Sequence, residues 1–147
     1  MIKVELNAKV KSGLGSAWLV KALRTANKII KKKKSYYVSV ALVGEAKIKN
    51  LNKKYRGKPG PTDVLSFPAA KAKDDFISPK TKQVFLGEII ICPRVASRQA
   101  KARGHTLARE LESLFIHGLL HLFGHEHKSA KGQKRMAAFE AKILNRT

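Results

Sequence analysis

Residues 117–127 read HGLLHLFGHEH, a stretch that constrains the C-terminal third of the chain more tightly than any other. His117 and His121 are four apart, so on a helix their rings project from one face about one turn from each other. Gly124 lies three residues on, where a helix carrying that face should stop. Glycine tolerates the left-handed conformation that ends helices and turns the chain back. Such a turn would bring His127 round to the same point in space. His117, His121 and His125 are also evenly spaced by four, so an unbroken helix would favour that trio, whereas Gly124 favours His127. Four of the five histidines fall within these eleven residues. The remaining one, His105, precedes Thr106 at a predicted helix start and reads as structural or exposed.

Histidines at this spacing point to a metal. Three neutral imidazoles leave a tetrahedral Zn²⁺ with one open position for water or substrate, which is the arrangement of a catalytic rather than a structural site. An ion held in that way lowers the pKa of bound water to about 7. The pattern H-x-x-x-H-x-x-G-x-x-H is also the ligand spacing of the metzincin zinc proteases. Their general-base Glu after the first His is replaced here by Gly118, which disfavours peptide cleavage. A fourth protein ligand, His125 or Cys92, would make the metal structural instead.

The rest of the chain alternates between strand and helix patterns. Ile2, Val4 and Leu6 alternate as a first strand. Trp18, Leu19, Ala22, Leu23, Ala26, Ile29 and Ile30 fall at helical spacing between Ser16, the expected N-cap, and about Lys32. Tyr36–Val43 reads as a strand, and Ala46–Tyr55 as a short helix ended by Gly57. The run GKPGP is a loop by composition. Val64–Phe67 is a short strand stopped by Pro68, and 69–83 is a polar surface loop expected to be flexible. Val84–Ile91 is nearly all apolar and is therefore expected to be a central strand. Helices over about 93–103, 106–123 and 129–145 close the chain. With 147 residues, 44% hydrophobic and 28% charged, this is the size and composition of one globular domain over 1–147. The expected fold class is α+β: a small mixed sheet of about four strands packed with about five helices, and the three-His site on a C-terminal helix-turn.

Charge narrows the partners. Lys and Arg number 31 against 10 Asp and Glu, a net charge of +21. A field of that size attracts polyanions, of which nucleic acid is the commonest in a cytosol. The run Lys31 to Lys34 follows a helix, where cations suit the dipole, and reads as a solvated end rather than a dedicated reader. The single Cys92 cannot form an internal disulfide, no apolar run approaches the roughly 18 residues of a membrane helix, and MIKVELN has no signal-peptide shape. A cytoplasmic protein without membrane association is expected.

Two further stretches act together with the first: LNKKYRGKPGPTDVLSFP (51–68) and LGEIIICP (86–93) precede HGLLHLFGHEH. In this order they resemble the YbeY family of endoribonucleases, or rRNA maturation factors. The resemblance covers most of the chain, and its three blocks are jointly very specific. It implies a single-strand-specific, metal-dependent endoribonuclease acting on the 3′ end of 16S-type rRNA and on defective small ribosomal subunits. It implies partners of the same setting, namely single-stranded RNA, the small subunit, a small-subunit ribosomal protein and an assembly GTPase. It also implies an α+β fold in which His117, His121 and His127 take one Zn²⁺ and Arg56 is the basic active-site residue. Glu126 and Glu88 stand where the family commonly has Asp, each longer by one methylene. Ser113, one turn before His117, stands where many members carry a further His, which argues against a ligand there.

RNA carries its own nucleophile, the 2′-OH, and its phosphodiester needs charge neutralised as much as water activated. A metal with the bidentate guanidinium of Arg56 would supply that neutralisation, so a carboxylate at 118 is dispensable. The competing reading is a non-catalytic RNA-binding ribosome-assembly factor with a structural zinc. Other residues read as structure. Asp63 caps a turn or pairs with an arginine; Glu110 and Glu112 suit the start of the metal helix, and Glu110 can also meet a base. Trp18 and Phe115 fit the core, Cys92 is a small buried hydrophobe, and Tyr36 and Tyr37 should point one in and one out.

Overall fold

In the computed structural model the described elements run β1 (Ile2–Ala8), α1 (Ala17–Ile29), β2 (Ser35–Leu42), α2 (Glu45–Arg56), β3 (Val64–Pro68), β4 (Gln83–Ile91), α3 (Pro93–Arg103) and α4 (Leu107–Leu122). The structure describes residues 1–30, 34–69 and 83–124, together with Lys134, Ala138, Ala141 and Lys142. Lys31–Lys33, most of the predicted 69–83 loop, and His125, Glu126 and His127 lie outside the described residues. Four helices are assigned among the described residues, against the five expected. The fifth, over 129–145, falls largely outside them; the four positions described there are helical and exposed.

The apolar run at 84–91 organises the sheet, whose order is β1-β2-β4-β3. β4 pairs parallel with β2 and antiparallel with β3, so both of its edges are hydrogen-bonded, as its nearly all-apolar sequence suggests. β1 pairs parallel with β2, a connection that needs the crossover supplied by α1. β3 is an edge strand and ends at Pro68, a residue without an N–H to give to a further neighbour. The β2–β4 register shifts between Tyr37 and Val38, where Leu86 is an extra residue in β4. Gly87 follows at φ +139, and a Cβ there would lie 2.2 Å from the Phe67 carbonyl oxygen. Only glycine lets β3 close on β4 at this point.

Side-chain alternation divides the sheet into two faces. Val38, Val40, Leu42, Ile89 and Ile91 face Trp18, Leu19 and Ala22 of α1 and Leu111, Phe115 and Leu119 of α4, forming the main core. Ala41, Leu65, Ile90 and Cys92 face the other way, against Ile48 of α2 and Val95 of α3. Trp18 and Phe115 are thus core residues, and Cys92 is a fully buried small hydrophobe. Tyr36 and Tyr37 do not divide into one in and one out. Both are half-buried, because each meets an aromatic partner on its own face: Tyr36 meets Phe123 edge to face at 5.2 Å, and Tyr37 meets Phe85 at 4.9 Å.

The helix ends depend on short polar contacts. Ser16 stands at the start of α1, but its side chain makes no capping bond; its carbonyl accepts from Leu19 and Val20 instead. Thr106 does cap α4, its hydroxyl oxygen accepting from the Arg109 N–H at 3.1 Å. Within α4 the buried Glu110 accepts from the Arg103 guanidinium at 2.9 Å, tying the end of α3 to the start of the helix that carries His117 and His121. No described helix is long and apolar enough to cross a membrane.

Candidate active site

His117 and His121 project from one side of α4, with ring centroids 4.7 Å apart and planes at 70°. Four-residue spacing on a helix produces this juxtaposition, and the buried face formed by Leu111, Phe115 and Leu119 fixes which way the pair looks. α4 ends at Leu122 and Gly124 adopts φ +91, so the helical face bearing the two rings does not continue past Leu122. That is the interruption Gly124 foretells. His105 is exposed between α3 and α4.

Both rings line a cavity of about 490 Å³ that straddles the free edge of β3. On the α4 side lie His117 and His121; on the α2 side lie Tyr55 and Arg56; Val64–Phe67 form the floor between them. Arg56, 61 positions before His117 in the chain, is thus brought to the same cavity as the two histidines. It occupies the last turn of α2, which Gly57 closes with φ +65. The following loop is pinned by Asn52, buried in α2, whose side-chain amide donates to the Gly60 carbonyl at 3.0 Å. Asp63 then starts β3: its carboxylate accepts from the Val64 N–H at 2.7 Å, and its carbonyl accepts from the Cys92 N–H at 2.9 Å. The turn-capping role expected of Asp63 is the one it performs.

The strand edge itself carries polar groups. The Cys92–Asp63 bond and the Ala69 N–H bond to Leu86 O mark odd-numbered residues of β3 as those whose main chain faces β4. In an antiparallel ladder the alternate residues then point outward. Val64 and Ser66 therefore direct main-chain groups away from the sheet, toward the open edge that the cavity surrounds.

The residue after His117 decides one question of chemistry. Gly118 is buried, and a Cβ on it would lie 2.9 Å from Ile89 Cγ2 and 3.1 Å from Ser66 Oγ. Helix and sheet touch here, so no carboxylate can be accommodated at the position where a protease keeps its base. Packing explains the glycine. Ile89 is fully buried and its Cγ2 is on a branched carbon, so it cannot swing aside. Gly118→Ala should consequently lower unfolding free energy by about 1–2 kcal/mol, overpacking outweighing the roughly 1 kcal/mol gained in helix propensity. Urea melts with an unchanged m-value would show it, and an unaltered or raised midpoint would contradict it.

Among the described residues no group of three or more His, Cys, Asp and Glu side chains gathers. The donor set that is described, two imidazoles from one helix face at an open cavity, fits a divalent transition metal. Cys92 lies in the core on the opposite sheet face and is no part of the cavity lining. Glu88 is also elsewhere, on the face away from α4, with the Ser39 hydroxyl donating to it at 3.3 Å. Tyr55, Ser66 and Phe67 line the site without having stood out in the sequence. Tyr55 follows Ile48 and Leu51 at helical spacing, and those two pack in the smaller core cluster. Only the end of the sheet at β3 leaves it 57% exposed.

Comparison with known proteins identifies relatives of the chain as a whole. A family model described as Endoribonuclease YbeY matches residues 2–147. A protein of Moorella thermoacetica named Endoribonuclease YbeY is 46% identical over 110 residues, covering 73% of this chain and 70% of its own length. One of the same name from Acidothermus cellulolyticus is 38% identical over 111 residues, 73% of this chain and 68% of that protein. In the solution structure of TM1509 from Thermotoga maritima the similarity extends over 99% of this chain and 90% of that one, with a TM-score of 0.58 and 29% identity.

Proposed function

The chain belongs to the YbeY endoribonuclease family, and from that premise we propose a single-strand-specific, metal-dependent endoribonuclease of the cytoplasm that acts in rRNA processing. Its substrate is the 3′ end of small-subunit rRNA, encountered on the small ribosomal subunit with a ribosomal protein and an assembly GTPase as neighbours. The observation that carries this reading is the shared cavity of Arg56, His117 and His121. His117, His121 and His127 would hold one Zn²⁺, which when bound supplies Lewis-acid stabilisation of charge on a phosphoryl oxygen. Arg56 binds the scissile phosphate through two parallel N–H bonds and orients it against the histidine face. Asn52 and Asp63 hold the loop and strand that flank Arg56, so its backbone is fixed before substrate arrives. Buried Gly118 removes the protease alternative, because the cavity has no base from that position.

Lys53, Lys54 and Arg56 crowd the last turn of α2, the turn from which Arg56 lines the cavity, within a chain of net charge +21. Binding should therefore be mostly electrostatic. If about five phosphates are neutralised, affinity for single-stranded RNA should fall about 10²-fold between 50 and 200 mM salt, at roughly −0.7 in log–log slope per phosphate. A slope near zero would remove the basic surface as the binding determinant. The function itself is tested with purified, zinc-loaded protein on matched single-stranded and duplex RNAs, with and without chelator. Cleavage confined to the single strand and abolished by chelator is expected. Tight binding without cleavage under all conditions would instead favour the assembly factor with a structural zinc.

A further inference from the structure

We propose that Tyr55 and Phe67 form a nucleobase-stacking platform at the active-site cavity, and that this platform confines the enzyme to unpaired RNA. The inference rests on reading the cavity as an RNA-cleaving site and names what holds the base there. Tyr55 is 57% exposed, whereas Trp18 and Phe115 are buried. Its ring meets Phe67 edge to face, with centroids 5.2 Å apart and planes at 70°. Phe67 is packed against the smaller core cluster behind it, so the pair is anchored at one end and open to the cavity at the other. A large aromatic side chain held in water at the mouth of a cavity has surface to gain by covering it.

The surroundings select the occupant. Lys54 Nζ lies over the Tyr55 ring, 5.2 Å from its centroid, so this flexible side chain covers one ring face and, displaced by a base, can turn to the flanking phosphate. Arg56 follows in the chain and lines the same cavity, and no described lining residue is acidic. An extended peptide, the other polymer that an open strand edge suits, would find apolar and cationic groups without the matched pockets that give such binding its specificity. A nucleobase supplies a π-face for the rings, and its backbone supplies the anion for Lys54 and Arg56. Every base has such a face, so the platform tolerates any sequence. A base within a duplex is stacked on both sides by its neighbours and cannot present one. Strand selectivity thus follows from stacking, without any group that reads sequence.

Trp18 is the only tryptophan and is 3% exposed, so Tyr55→Trp introduces one exposed indole as a reporter. Binding is measured with chelator present, so that it does not depend on cleavage. Single-stranded RNA should quench the new emission, and duplex of equal phosphate concentration should not. Tyr55→Ala should weaken single-strand binding about tenfold to a hundredfold and Tyr55→Phe by no more than about twofold, since the ring is the binding element. A ribose-phosphate oligomer without bases should bind wild type and Tyr55→Ala equally. Absence of quenching would overturn the platform, as would equal weakening by Tyr55→Ala for the RNA and the baseless oligomer. Quenching by an extended peptide and not by RNA would assign the rings to a protein partner instead. A protein that cuts single-stranded RNA and discriminates against duplex unchanged after Tyr55→Ala loses the platform alone. A protein that never cuts RNA loses the proposed function, whatever the quenching shows.

Discussion

Replacement of His117 or His121 by alanine is expected to abolish stoichiometric zinc and to reduce RNA cleavage by at least about 10³-fold, the scale of several kcal/mol of lost Lewis-acid stabilisation. The two rings stand on one helix face with centroids 4.7 Å apart, so removing either leaves one imidazole on this helix. With His127 as the third ligand only two imidazoles would remain, fewer than a catalytic zinc site uses. The loss should exceed the roughly 10–100-fold in metal affinity that follows removal of a merely supporting partner. Apoprotein stability should change little, because both histidines are only half-buried while Leu119 and Leu120 beside them carry the packing. His127→Ala should behave like the other two, and His125→Ala should keep its zinc, since α4 ends at Leu122 and Gly124 turns out of the helical path. Zinc-to-protein ratios after exhaustive dialysis distinguish the four variants. Stoichiometric zinc retained in His121→Ala or His127→Ala, or lost in His125→Ala, would overturn the ligand assignment.

Arg56→Ala is expected to separate catalysis from binding. An exposed arginine at the end of α2 holds neither the fold nor the metal, so both should survive its loss. If its guanidinium neutralises phosphate mainly in the transition state, the single-turnover cleavage rate should fall about 10²–10³-fold. Affinity should change far less, because one phosphate contact among several is a small share of the electrostatic total. Lysine at this position should restore only part of the rate, since a point charge cannot reproduce the planar fork. Rate and affinity are measured separately, the latter with chelator present. Equal rates for wild type and Arg56→Ala would make Arg56 an ordinary surface charge, and would take the catalytic reading of the cavity with it.

Much of the architecture is legible in residue order. The run 84–91, apolar except at Glu88, points to a central strand, because a strand covered on both faces exposes little to water. Pro68 belonged at an edge, and Gly57 and Gly124 belonged at helix ends, for reasons of backbone geometry that act locally. The pairing of His117 with His121 is likewise a local fact of helical period. Elsewhere local rules gave the wrong weight. Ser16 has an N-cap residue type without forming the capping bond. Strand alternation alone could not anticipate that Tyr36 and Tyr37 would each find an aromatic partner on opposite faces.

Periodicity and turn chemistry within the sequence determined the elements, the central strand and the two-histidine helix face, because each depends on neighbours a few residues away. Which distant groups share a cavity is decided by tertiary structure alone. Arg56 was assignable from the sequence only by family resemblance; its place in the same cavity as His117 arises because β3 is the edge strand and α2 and α4 flank it from opposite faces. Gly118 reads in the sequence as a missing catalytic base. In the fold it is the point where α4 touches Ile89 and Ser66 with no room for a Cβ. Tyr55 carries no signal of its own in the sequence, and is an exposed cavity residue because the sheet ends beneath it. A linear pattern records which side of an element a residue occupies; whether another element covers that side is settled only when the chain has closed on itself.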